Sequence, residues 1–331
     1  MRSPPPPRRA AVCGCEPVKQ PSWAALLGRN AQLLQRAAQP LRDRRKPPAG
    51  AGSWLMGSVL TESGPRRYWL FRPEGVRFAE KLPLMVMLHG CHQDPKSFAE
   101  STRMNAVAAR ERFLVLYPEQ PRLANAQGCW NWFDTQSGRA FSEAAWIMRA
   151  VDHVCVLYAA DRDRIAVAGL SAGASMAALL ATRYPQRFKA LAMHSGVPPG
   201  TAHSTVSAVG AMQGRRAPHA VAEPVEAWPP LMVIHGEDDG VVSARNAGAA
   251  AQMWSQAAGA REGAPLAQQR GKRYPMTVTH FKRSRELVAT LVQVGRLGHA
   301  WSGGAARQRF SDANGPDASR MVWRFVEKQF G

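Results

Sequence analysis

The 331-residue chain has no apolar run long enough to cross a membrane. A spanning helix needs about 20 consecutive apolar residues, whereas LPLMVML and LMVI are strand-sized and flanked by Pro, His and Gly. The opening MRSPPPPRRAAVCGCEPVKQP also lacks the apolar core of roughly 7 to 15 residues that a secretory signal carries, which points to the cytoplasm. Cysteine is scarce: Cys13, Cys15, Cys91, Cys129 and Cys155 form no CxxC pair, which argues against a thiolate metal site, and their odd number leaves at least one unpaired within the chain. Cys155 lies in an apolar helical run and is expected as a small buried hydrophobe. Acidic residues are few, 24 against 43 Lys and Arg, for a net charge of +19. The aromatic interleaving and repeated basic face of a nucleic-acid module are missing, so nucleic acid is not an expected partner. Nothing in the composition specifies an oligomeric state.

The basic excess is concentrated at the start, where the first 50 residues hold ten Lys/Arg against Glu16 and Asp43. This Pro/Arg-rich stretch, residues 1–50, is expected to be a tail, disordered in part, with a short amphipathic helix from Ser22 to about Pro40. The folded domain is expected over 51–331. There, strand-like and helix-like segments alternate. WLMGSVL and RRYWLFRP suggest an antiparallel opening pair; LPLMVMLHG, FLVLYPEQ, RIAVAG, KALAMHSG, LMVIHGEDD and LVQVGRLGHAW follow as strands. KSFAESTRMNAVAARER, FSEAAWIMRAVDHVCVLYA, ASMAALLATRYP, SARNAGAAAQMWSQ and PDASRMVWRFVEKQF read as helices. Continuous apolar strands separated by helices specify an α/β fold, a doubly wound, mostly parallel sheet covered on both faces. In such sheets ligands bind beyond the carboxyl ends of the strands.

Those ends carry the chemistry. Gly169-Leu170-Ser171-Ala172-Gly173 fits G-x-S-x-G, a sharp strand-to-helix turn that presents a serine hydroxyl to the crevice. Ser171 is the candidate nucleophile; its bland alternative is a helix N-cap. Ser175, one turn further, reads as a packed helical serine. A serine needs a histidine to take its proton and a carboxylate to orient that histidine. His299, in GHAWSGG after the last strand, is the candidate base; His89 and His235, each before a glycine, read as loop-holding histidines. For the carboxylate, Glu237, Asp238 and Asp239 compete, and the frame H-G-x-x-D-x-x-V of related hydrolases favours Asp239. Backbone amides of Ala172 and, after the HGC turn, Cys91 are the candidate oxyanion donors. This chemistry needs no metal and no cofactor.

Eight motifs in order, LHGCHQ, YPEQ, GCWNWF, GLSAGASM, HSGVPPG, HGEDDGVV, GHAWSGG and GPDASRMVWRF, resemble the polyhydroxybutyrate depolymerase family of esterases over about residues 55 to 330. The resemblance implies an α/β-hydrolase that cleaves esters of short-chain 3-hydroxyacids, with Ser171, Asp239 and His299 as triad and a hydroxyalkanoate ester or polymer as substrate. It also implies a Cys91–Cys129 disulfide and an extracellular location, in tension with the missing signal. Secreted relatives that attack solid polymer carry a separate polymer-binding domain, and none is readable here, so soluble oligomers or other short-acyl esters are the favoured substrates. Trp130, Trp132 and Trp301 lie beside the site loops; Trp132 reads as packing, while Trp130 and Trp301 fit either packing or an apolar wall for the substrate. Two rival functions stay open: a feruloyl or acetyl polysaccharide esterase of the same fold, and a granule- or nucleic-acid-associated protein using the basic tail.

Overall fold

Strands in which every residue is apolar need cover on both faces, and such strands form the centre of this sheet. The computed structural model describes residues 1, 47–62, 64–77, 80–218 and 227–331. The tail expected over 1–50, with its helix from Ser22, falls almost wholly outside the described residues. The unit Pro47–Gly331 enters the sheet as an antiparallel hairpin, β1 (Gly52–Thr61) and β2 (Gly64–Pro73). It continues through β3 (Leu82–Leu88), α1 (Pro95–Thr102), α2 (Met104–Glu111), β4 (Leu114–Pro118), α3 (Arg139–Leu157), β5 (Ala160–Leu170) and α4 (Ala172–Arg183). Then come β6 (Ala190–His194), α5 (Thr205–Met212), β7 (Leu231–Gly236), α6 (Arg245–Ala258), and the short β8 (Arg261–Glu262) and β9 (Leu266–Gln268). The chain closes with β10 (Met276–Arg283), β11 (Glu286–Val294), the two-residue β12 (Trp301–Ser302) and β13 (Ser311–Asp312), and α7 (Ala318–Glu327).

The sheet order is β1-β2-β4-β3-β5-β6-β7-β11-β10-β8, with β9 also on β10. The strands from β4 to β11 in that order run parallel, while the edges beyond them are antiparallel. Alternate residues of each central strand feed two cores. Leu84, Val86 and Leu88 of β3 pack with α3, α4 and α6, and Met85 and Met87 pack on the other face with α1, α2 and α7. Phe113 stacks on Trp323 of α7 with ring centroids 3.8 Å apart; burying side chains of this size contributes about 1.5–3 kcal/mol each.

The helix expected over KSFAESTRMNAVAARER is two helices. Thr102 turns its hydroxyl back to Phe98 O at 2.9 Å, Arg103 takes left-handed backbone (φ 56°, ψ 25°), and its guanidinium reaches Gly303 O at 2.6 Å. β10 and α5 are elements that the sequence pattern does not announce.

The chain leaves β3 to one side and β5 to the other, so the ends of these neighbouring strands open the crevice. There α4 packs directly on the sheet: a Cβ on Gly173 would lie inside the van der Waals shell of the Leu88 and His89 carbonyls. Gly173→Ala is therefore expected to cost about 3 kcal/mol or more, because backbone atoms must move. Gly248→Ala, in the first turn of α6 with open space around it, is expected to add up to about 1 kcal/mol; urea-unfolding midpoints of the two variants check both.

Candidate active site

Ser171 occupies the turn between β5 and α4 with φ 57° and ψ −121°. It makes no side-chain cap bond to α4, so its hydroxyl is not used as an N-cap. Its amide donates to His194 O at 2.9 Å, tying the turn to the end of β6. Ser175 has a different role: it is buried, and its hydroxyl accepts the Val197 amide at 2.8 Å.

The three competing acids separate by burial. Glu237 and Asp238 are exposed, while Asp239 is buried. One Asp239 oxygen, Oδ1, accepts the amides of Val241 and Val242 at 2.9 Å each. The other, Oδ2, lies 2.8 Å from His299 Nδ1 and 3.3 Å from His235 Nε2. His235 Nε2 is also 2.9 Å from Val242 O, so its one N–H faces both acceptors. Burial alone would raise the Asp239 carboxyl, but the hydrogen bonds from His235, His299 and the Val242 amide reverse this and hold it well below the ordinary carboxylate range. An anionic Asp239 assigns the proton of His299 to Nδ1 and leaves Nε2 as a lone pair.

Ser171 and His299 share no hydrogen bond among the described residues. They are related through His194, whose carbonyl holds the Ser171 amide and whose ring interacts electrostatically with His299 and Asp239. His194 Nε2 accepts the Ser302 amide at 3.1 Å, which places its proton on Nδ1 toward Ser195 Oγ at 3.2 Å. Burial drives this ring from 6.5 down to about 3, with His235 and His299 pushing the same way and Asp239 opposing. His194 is thus a neutral spacer next to the His299–Asp239 pair. It was not singled out in the sequence, although its place in HSG at a strand end is a usable signal. His235, read as a loop-holding histidine, also touches the carboxylate.

The HGC turn lies over the serine, since a Cβ on Gly90 would stand 3.6 Å from Ser171 Cβ. Gln93 Oε1 accepts the Gly90 amide at 3.0 Å. The Cys91 and Ala172 amides have no hydrogen-bond partner among the described residues. Cys91 and Cys129 are bridged, with Cα atoms 4.3 Å apart, and Cys155 is free and buried. No group of three or more His, Cys, Asp or Glu side chains among the described residues could hold a metal ion.

Of the two readings open for Trp130 and Trp301, packing or a substrate wall, their burial to 0% and 1% exposure favours packing. Their indole N–H groups are used inside the protein: Trp130 donates to His89 O at 3.0 Å and Trp301 to Ser319 Oγ at 3.1 Å. Both support the site loops from beneath, Trp301 with its ring stacked 5.0 Å from that of His194. Trp132 also packs in the core.

Burial lowers His89 in the same direction as His194. Unfolded, both rings bind protons near the ordinary value of 6.5, and folded they bind them only at lower pH, so their contribution to stability is whole above about pH 6.5 and is lost as the pH falls. Each contributes a slope of up to about 1.4 kcal/mol per pH unit. Unfolding free energies measured from pH 7.5 down to 5 are expected to decline, and His194→Asn is expected to flatten the decline.

Residues 66–273 match the family model described as Esterase PHB depolymerase. Over 127 residues the chain is 37% identical to Poly(3-hydroxyalkanoate) depolymerase C of Paucimonas lemoignei, a stretch that is 38% of this chain and 30% of that relative. It is 28% identical over 210 residues to Feruloyl esterase B of Neurospora crassa, covering 58% of this chain and 70% of the relative. Among solved structures, acetyl xylan esterase from Aspergillus awamori aligns with a TM-score of 0.59 at 16% identity, over 82% of this chain and 99% of that one. An S-formylglutathione hydrolase from Agrobacterium tumefaciens aligns at 0.55 and 15% identity, over 86% and 97%. With the family model matched over more than half of its length and the sheet and layers shared with these structures, the chain belongs to the PHB depolymerase family of esterases and has the α/β-hydrolase fold.

Proposed function

We propose that this esterase hydrolyses esters of short-chain 3-hydroxyacids through an acyl-enzyme on Ser171. The observation that carries the reading is the 2.8 Å contact between His299 Nδ1 and a buried Asp239 carboxylate, related through His194 to a serine in a strained strand-to-helix turn. Ser171 Oγ attacks the ester carbonyl carbon while His299 Nε2 takes the hydroxyl proton. Asp239 fixes the ring and stabilises the imidazolium that forms. The carbonyl oxygen becomes an oxyanion, for which the unoccupied amides of Cys91 and Ala172 are the donors. The C–O bond to the alcohol then breaks, and the leaving oxygen receives the proton from His299. In the second half, water gives a proton to His299 and attacks the acyl carbon; the bond to Ser171 Oγ then breaks, Oγ takes that proton back from His299, and the acid leaves.

The substrate class rests on the eight motifs and on the 37% identity to a poly(3-hydroxyalkanoate) depolymerase. A feruloyl or acetyl ester of a polysaccharide is the second reading, favoured by the longer match to Feruloyl esterase B. The full-length chain is tested on 3-hydroxybutyrate trimer, methyl ferulate and 4-nitrophenyl acetate. The trimer is expected to give the highest kcat/KM; a preference for methyl ferulate transfers the protein to the second reading. Ser171→Ala is expected to lower kcat/KM by about 10⁴-fold or more. Ser175→Ala is expected to keep most of the activity while losing about 1–3 kcal/mol of stability, because the Val197 amide loses its acceptor.

A further inference from the structure

Helix α3 delivers a carboxylate into the interior that the chemistry above does not use. Glu143 is 5% exposed and forms no ion pair among the described residues. The nearby Arg139 is instead paired with Asp134 at 3.6 Å. Isolating a carboxylate from water costs several kcal/mol unless its lone pairs are satisfied. Three N–H groups meet it: the Asn131 amide at 2.8 Å on Oε2, and Asn131 Nδ2 at 2.5 Å and Gln120 Nε2 at 2.6 Å on Oε1. All three are donors, so the ionised form fits this site. Burial still pushes its carboxyl up from 4.5, against these hydrogen bonds.

The partners of Glu143 lead to one place. Gln120 Nε2 also donates to Cys129 O at 3.1 Å, and the Gln120 amide donates to His89 Nε2 at 3.3 Å. Asn131 is held in one amide orientation because its Oδ1 accepts Asn125 Nδ2 at 2.9 Å. Between the two partners of Glu143 in sequence lie Cys129, bridged to Cys91, and Trp130, bonded to His89 O. Three of these links reach the His89-Gly90-Cys91 turn: the Gln120 N–H on His89 Nε2, the Trp130 N–H on His89 O, and the bridge from Cys129 to Cys91. The geometry points to Glu143 as the positioning residue of the oxyanion turn: it locks the Gln120 and Asn131 amides, and these lock His89 and Cys129 so that the Cys91 N–H stays aimed beside Ser171.

This inference rests on the assignment of Cys91 as an oxyanion donor. A carboxylate is required because it offers two acceptor oxygens. A glutamine at 143 fills the same volume but turns an N–H toward one of the three donors, and the fixed Asn131 amide cannot flip to relieve it. An oxyanion donor that drifts weakens the tetrahedral state more than the bound ester, so the effect falls on kcat rather than KM.

The experiment compares Glu143→Gln and Gln120→Leu with the unmodified protein. It measures kcat and KM on one soluble ester, the Ki of an alkyl trifluoromethyl ketone, and the Tm. The ketone adds to the serine as a hemiketal whose oxygen occupies the oxyanion position. Expected are a kcat lowered about 10- to 100-fold, less than or equal to the loss of a direct donor, an unchanged KM, and a Ki raised by a similar factor. Glu143→Asp, which keeps both acceptor oxygens, is expected to recover part of each. Unchanged kcat and Ki with a lowered Tm overturn the inference, as does a raised KM at constant kcat. If Glu143→Gln does not fold, Gln120→Leu decides alone, since it removes the side-chain amide that joins Glu143 to Cys129 O while leaving the backbone N–H on His89 in place. Ser171→Ala, measured in parallel, separates the two levels: if it still hydrolyses ester and binds the ketone, the assignment of the nucleophile fails, whatever Glu143 does.

Discussion

A serine held at φ 57° and ψ −121° must be kept there by its surroundings. Such backbone costs about 1–3 kcal/mol for a residue with a side chain. Three contacts oppose its relaxation. His194 O accepts the Ser171 amide, Gly173 lets α4 press against the carbonyls at the end of β3, and Ser175 ties the first turn of α4 to Val197. Behind them, the apolar side of α4, including Met176, Ala177 and Leu180, is buried in the core. The strain thus rests on the packing of the whole α4–sheet layer. Its consequence is local: the hydroxyl makes no cap bond to the helix it precedes, and the amides of Ala172 and Cys91 lie in the same neighbourhood.

The same sheet edge separates charge. Asp239 is kept anionic by hydrogen bonds from two imidazoles and two amides. His194, fully buried and within electrostatic reach of Asp239 and His299, is kept neutral. A second cation beside His299 would oppose the imidazolium that the proposed reaction forms, and burial of His194 removes that competitor. Its acceptor nitrogen is occupied by the Ser302 amide, so the neutral tautomer is also the one the hydrogen bonds select. Stability at mildly acidic pH is given up for this arrangement.

Where sequence and structure agree, the cause is periodicity or a local turn. β3, β4, β6 and β7 are buried along their whole length, and continuous apolar runs declare that directly. G-x-S-x-G is short because its turn is made within a few residues, and the strand-to-helix turn that it declares forms at Ser171; the frame H-G-x-x-D-x-x-V of related hydrolases marks Asp239, which is the buried one of the three acids. β10 was hidden by its composition, since its threonines, histidine and lysine alternate only loosely with apolar residues. The break at Arg103 depends on a carbonyl 200 positions away. Trp130 and Trp301 were placed beside the right loops, but a position in sequence does not give the direction of an indole. Glu143 was invisible for a similar reason: its partners lie 12 and 23 residues away, and a glutamate on an amphipathic helix ordinarily faces water. The Cys91–Cys129 pairing came from family resemblance and not from spacing.

The central claim is that one serine, Ser171, is made nucleophilic by its turn and by the His299–Asp239 pair. Covalent labelling tests it most directly, because a fluorophosphonate reports an activated serine irrespective of the natural substrate. The full-length protein is treated with a limiting amount of the reagent, digested and analysed by mass spectrometry while hydrolysis is followed in the same sample. A single adduct is expected, on the peptide containing Ser171, with activity lost in proportion to labelling. An adduct on another serine, or hydrolysis that persists when Ser171 is fully modified, would contradict it.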